Sequence, residues 1–216
     1  MKHYMTLASI SLAGLLFTGC AIGNQPSSNS FIEDTSLLKP SPTKEGAYSY
    51  LKDGINFKDY REVRVSNIPI VKSDKKDETI SNTTLDNVSS YFQSSLQYEL
   101  NSALESNAGN KALTVDVAIT SLGKEYKDLK LYQYIPVGLA LTVIKRGVVG
   151  EDKNLVIQIA IKVRDASTNE LVAMVVDSDV QKGFPADKRI TLTDIKPSID
   201  KWVSHYKSTL EKLINK

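Results

Sequence analysis

The sequence holds one cysteine, two histidines and one tryptophan in 216 residues, and that scarcity removes several chemistries at once. A lone cysteine cannot form an internal disulfide. Stability must then come from burial, which a domain of about 150 residues can supply. A zinc site needs three or four converging ligands, which these residues do not provide, so no metal and no cofactor is expected. The sequence contains neither a glycine-rich phosphate loop nor a nucleophile elbow. It also lacks an excess of charge of one sign: 27 Lys and Arg stand against 25 Asp and Glu, interspersed as in Lys72 to Glu78. Nucleic-acid binding needs clustered basic charge, so no nucleic-acid partner is expected. No apolar run reaches the roughly 20 residues of a membrane-spanning helix.

What is present begins at the N-terminus. Residues 1–19 have the three parts of an export signal: Lys2 is the positive end, Met5 to Phe17 the apolar stretch, and Thr18-Gly19 the small residues before a cut. Leu16-Phe17-Thr18-Gly19-Cys20 resembles the lipobox of bacterial lipoproteins. The resemblance implies that residues 1–19 are removed. It also implies that the Cys20 thiol receives a diacylglyceryl group and that the freed amine is acylated, for example with palmitate. One acyl chain binds a membrane only marginally, whereas two or three hold durably. In the sorting scheme of two-membrane bacteria, Asp after the lipidated Cys favours the inner membrane. Ala21 in that place implies the outer membrane, with the domain in the periplasm.

Residues 20–30 carry Pro, Gly, Asn and Ser with little to bury and read as a flexible tether. Residues 31–57 have scattered apolar anchors without sustained periodicity, and read as an extended arm laid over a domain of residues 58–216. Val63 and Val65 alternate with charge, then Ile68 to Val71 run around Pro69, predicting a strand that bends or lies at an edge. Thr83 and Asp86 suggest a helix start. Leu85, Val88, Phe92, Leu96, Leu100 and Leu104 recur at spacings of 3 and 4, one apolar helix stripe. Leu113 to Ile119 and Leu155 to Val163 alternate as strands with one buried face. Leu171 to Val176 is apolar almost throughout, as in a strand covered on both faces. Thr193 or Asp194 is expected to cap a last helix, with Pro197 in its first turn. The stripe of that helix is Ile195, Ile199, Trp202, Val203, Tyr206, Leu210 and Leu213. A strand–helix–strand unit favours a parallel crossover, and the turn at Asp165 to Asn169 an antiparallel hairpin. The expected fold is α+β: a mixed, largely antiparallel sheet with two helices packed on one face.

Three stretches carry a family resemblance. Ser30-Phe31-Ile32-Glu33-Asp34-Thr35-Ser36-Leu37-Leu38, soon after a lipobox Cys, is one. Ile135-Pro136-Val137-Gly138-Leu139-Ala140 and Asp165-Ala166-Ser167-Thr168-Asn169-Glu170-Leu171-Val172 are the others. Together they resemble a group of proteobacterial lipoproteins catalogued as domain of unknown function thirty-three thirteen, over roughly residues 20 to 182. The resemblance implies no particular activity.

Candidate chemistry is sparse. His205 lies beside the apolar stripe of the last helix, and a hydrolase would need an orienting acid and a nucleophile in its reach. Asp177 and Asp179 share a strand face by period two. They could form a carboxylate pair for glycoside chemistry or calcium, but a calcium site needs more oxygen ligands than cluster nearby, and they read as solvated strand-end acids. Asp165 precedes a turn, where Asp commonly accepts from backbone amides. The least ordinary segment is Leu129 to Val149. Tyr132, Tyr134, Leu139 and their apolar neighbours lead into Lys145-Arg146. It reads as core, as an exposed element for a protein partner, or as a membrane-surface element. Tyr132, Tyr134, Leu139, Lys145 and Arg146 are thus the candidate partner surface. The expected function is non-enzymatic: a binding or scaffolding domain for an envelope protein partner, held to the membrane by its acyl chains. The alternative is a carrier of a lipid or small apolar ligand.

Overall fold

A computed structural model of the chain describes residues 31, 32, 34–41, 44, 46–70, 80–125 and 153–216. Strands β1 (Lys39–Pro40), β2 (Tyr48–Leu51) and β3 (Tyr60–Val65) precede helix α1 (Asn82–Leu104). Strands β4 (Lys111–Glu125), β5 (Lys153–Asp165) and β6 (Leu171–Phe184) precede helix α2 (Leu192–Ile214). The strands form one sheet in the order β1-β2-β6-β5-β4-β3. Only β3 and β4, joined through α1, pair in parallel, and the other neighbours are antiparallel. This is the mixed, largely antiparallel α+β arrangement that the periodicities imply.

The two helices lie on one face of the sheet. Val88, Phe92, Leu96, Leu100 and Leu104 of α1 and Ile195, Ile199, Trp202, Val203 and Leu210 of α2 join one buried cluster with Leu155, Ile157, Ile159 and Ile161 of β5. Helix α1 begins two residues earlier than Thr83 and Asp86 suggest. Ser81 is its N-cap and accepts from the Thr84 N–H. Helix α2 is capped at Thr191, whose N–H and hydroxyl both donate to the Asp194 carboxylate. Pro197 therefore stands in the second turn, where it cannot donate to the carbonyl four residues back.

Residues 31–57 contribute the two strands β1 and β2, and β2 pairs with β6 from Tyr48↔Val176 to Leu51↔Ala173. Ile32, Leu38 and Tyr48 cover the second face of the sheet over Ala160, Met174 and Val176. That cover changes which strand is buried on both faces. Asn154 to Ile161 of β5 are all buried, whereas Leu171 to Val176 alternate between half-buried and buried. The central place of β5, not its alternation, decides its burial. Beyond Val65 the Ser66 N–H still donates to the Val115 carbonyl, and the chain meets β4 again at the bridge Ile70↔Ile119, where the Pro69 carbonyl accepts from the Ile119 N–H. Pro69 itself has no N–H to offer.

Gly109 does more than end α1. A Cβ there would lie 2.1 Å from the backbone carbonyl of Asp59. The chain after α1 presses against the 3-10 turn Phe57–Asp59, where the Asn107 amide also donates to the Phe57 and Tyr60 carbonyls.

Candidate functional site

Cys20, Ala21, Tyr132, Tyr134, Leu139, Lys145 and Arg146 lie outside the described residues. The last five belong to the connection between β4 and β5, whose facing ends pair at Glu125↔Asn154.

Among the described residues the densest polar cluster sits between β6 and α2. Tyr48↔Val176 is the last pairing of β2 with β6, so β6 continues from Asp177 without β2 beside it. Asp177 pairs with Ile159 and Asp179 with Ile157, which turns both carboxylates towards the helices. Asp177 is 2% exposed. Lys44, from the β1–β2 connection, donates to Asp177 at 2.5 Å and to the Ser178 carbonyl at 3.2 Å. The same ammonium lies 5.6 Å from the Trp202 ring centroid. The Ser178 N–H and the Tyr206 hydroxyl are the further donors to Asp177 among the described residues, at 2.7 and 3.3 Å. Burial and the facing carboxylate push the Tyr206 phenol well above its ordinary value. Asp179 accepts from the Ser198 hydroxyl at 2.7 Å and from Lys201 at 3.1 Å. Burial opposes its charged form, yet these donors hold its carboxyl below the usual range.

The expectation that Asp177 and Asp179 are solvated strand-end acids is therefore corrected. The strand runs on past them, and α2 roofs the sheet above. Each carboxylate is filled by donors belonging to the fold. Their chemistry is that of a clamp joining the arm, β6 and α2. Period two placed them on one face; nothing local in the sequence paired Asp177 with Lys44, 133 positions away.

Asp165 is a second buried carboxylate. It accepts from the Ser167 and Thr168 N–H groups, the Ser167 hydroxyl and, at 2.9 Å, the Tyr60 hydroxyl. Above all the Ser167 hydroxyl, helped by the amides, holds its carboxyl far below the usual range against the cost of burial. Burial first, then the bond to Asp165, pushes the Tyr60 phenol up to about 12. Asn169, at φ 59°, closes the same turn. Because the fold favours neutral Tyr60, its contribution is complete below pH 10 and is lost as pH rises from 10 through about 12. The Asp165 contribution has the opposite sense, complete above the ordinary carboxylate value and lost as pH falls. Tyr60→Phe is therefore expected to lower stability at pH 7 by about 1 kcal/mol and to flatten the alkaline decline, read by urea melts between pH 7 and 11. An alkaline decline as steep as the parent's would show that Tyr60 does not drive it.

His205 is exposed and meets only the Tyr206 ring among the described contacts, edge-on at 5.6 Å. No group of three His, Cys, Asp or Glu among the described residues is placed to hold a metal ion. An open depression of about 490 Å³ lies between the end of β3 and the start of α1. Its wall mixes Asn67, Asp86 and Ser89 with Ile68, Ile70 and Leu85, unlike the mainly apolar lining of small-molecule pockets.

A family model described as "Protein of unknown function (DUF3313)" matches residues 27–205. No curated protein matches the chain significantly. Among solved structures, the PelC dodecamer from Paraburkholderia phytofirmans is 11% identical, with a TM-score of 0.36, over 78% of this chain and 95% of that one. A protein from Caulobacter crescentus CB15, provisionally assigned as a lipoprotein, is 11% identical with a TM-score of 0.36, over 74% and 93%. A DUF4136 family protein from Bacteroides thetaiotaomicron is 8% identical with a TM-score of 0.35, over 78% and 96%.

Proposed function

The chain belongs to the DUF3313 family, and from that premise we propose that it is an outer-membrane lipoprotein with a non-enzymatic binding domain. The acyl chains on Cys20 hold it at the membrane, Ala21 directs it to the outer one, and the domain engages an envelope protein in the periplasm. The observation that carries the binding role is the connection between β4 and β5. Their ends pair as a hairpin would, yet residues 126–152 join them. Hairpin loops usually need 2–5 residues, and connections beyond about 15 without elements of their own are uncommon, serving either as functional loops or as linkers. This one contains the apolar block from Leu129 to Val149, with Tyr132 and Tyr134 before Lys145-Arg146. Tyr and Arg are enriched at protein interfaces, where a few clustered residues carry most of the energy.

The test is crosslinking in cells followed by recovery of the full chain with its partners. Cys20→Ser is expected to abolish incorporation of labelled palmitate and to leave an uncleaved or soluble form. Tyr132→Ser with Tyr134→Ser is expected to reduce partner recovery at an unchanged melting temperature. Palmitate labelling that persists without Cys20 would overturn the anchor. A collapsed melting temperature in the tyrosine variant would return residues 129–149 to the core.

A further inference from the structure

The apolar stripe of α1 has a polar companion one residue along. Ser89, Gln93, Gln97 and Asn101 recur every four residues, and each reaches the strand β3 or the segment that follows it. The Ser89 hydroxyl donates to the Ile68 carbonyl at 2.6 Å. The Gln93 amide donates to the Val65 carbonyl at 3.1 Å. Gln97 is bidentate: its oxygen accepts from the Val65 N–H at 2.8 Å and its nitrogen donates to the Val63 carbonyl. The Asn101 oxygen accepts from the Val63 N–H at 2.8 Å, and its nitrogen donates to the Val63 carbonyl at 3.0 Å. The backbone groups that Val63 and Val65 turn away from β4 are thus all occupied by side-chain amides.

The fit has a metric cause. Four residues of helix rise about 6 Å and two residues of strand about 6.6 Å, so successive amides meet successive outward groups with little drift. A side-chain amide carries an N–H donor and a carbonyl acceptor side by side, as a peptide unit does, with a second N–H to spare. The stripe therefore supplies what a neighbouring strand would supply. β3 stands at the end of the sheet order, and an open edge strand is a template for another chain. The opposite edge, β1, is two residues long and includes Pro40, which has no N–H to offer.

We propose that the amide stripe Gln93, Gln97 and Asn101 acts as a surrogate strand, closing the β3 edge against pairing with a second copy of this chain. Without it, Val63 and Val65 offer their N–H and C=O groups to the β3 strand of another molecule.

The experiment compares the full chain in detergent with the triple variant Gln93→Met, Gln97→Met, Asn101→Leu, which keeps side-chain bulk but removes the amides. Sedimentation reads association, and hydrogen exchange reads the Val63 and Val65 amides over a hundredfold range of protein concentration. The expected result is a larger species that the parent lacks. In the variant these two amides should exchange at least about tenfold faster when dilute and regain protection when concentrated. A folded variant of the parent's size, whose Val63 and Val65 amides exchange fast at every concentration, overturns the proposal. If the triple variant fails to fold, Gln97→Met alone is read by the same two measurements, and the same outcomes decide.

Discussion

Trp202→Ala is expected to lower the melting temperature of the chain by roughly 10 °C, the signature of losing about 3–5 kcal/mol in a domain of this size. Trp202 is 1% exposed and lies in the middle of α2. Its ring stacks on Phe92 of α1, with centroids 6.2 Å apart and planes 25° apart, so it joins the two helices as well as sealing them to the sheet. Truncation leaves a cavity too central for the sheet to collapse into. One feature works against the residue: its indole N–H is buried without a hydrogen-bond partner among the described residues, at a cost of about 1–3 kcal/mol. Trp202→Phe, which removes that donor and keeps most of the ring, is therefore expected to cost much less than Trp202→Ala. Thermal melts of the two variants decide the point. Equal losses would mean that neither the retained ring volume nor its stacking on Phe92 sets the energy here, and that the indole itself does.

The second large effect is expected at Lys44. Lys44→Met removes the cation facing Asp177 and leaves a carboxylate that is 2% exposed with only the Ser178 amide and the Tyr206 hydroxyl as donors. An uncompensated buried charge costs about 3–5 kcal/mol. Lys44 itself is 22% exposed, which places the expected loss near the lower end, about 3 kcal/mol. Adding Asp177→Asn to Lys44→Met removes the stranded charge, so the double variant is expected to be more stable than the single one. Additivity of the two changes in urea melts would show that the pair is not coupled. The same experiment should reveal the mechanical role of the pair. Lys44 sits between β1 and β2, so its loss frees the arm, and limited proteolysis should cut within residues 31–51 before any other described segment.

The polar network around these residues explains why the two acidic positions of β6 looked different in isolation. Asp177 and Asp179 follow six consecutive apolar positions, which suggests a strand reaching solvent. Whether the next residues are wet depends on what lies above them, and α2 comes from a segment thirteen or more residues further on. The same limit applied to β1 and β2. Strands of two and four residues are too short to establish a period, and they exist because the exposed edge of β6 offers hydrogen-bond partners. By contrast the Asp165 turn was legible, because an Asp accepting from amides two and three residues on is a local bond.

Helix stripes, strand alternation, the turn and the parallel crossover follow from intervals of 2, 3 and 4 residues, or from connection length, and the amino-acid sequence alone determined them. It also determined the family, through stretches whose order along the chain is itself the signal. Tertiary structure alone decided which strand is buried on both faces, which cation meets Asp177, and that a row of amides on α1 fills the edge of β3. Each of those depends on elements separated by tens of residues, and periodicity reports only which face a side chain takes, not what arrives to cover it.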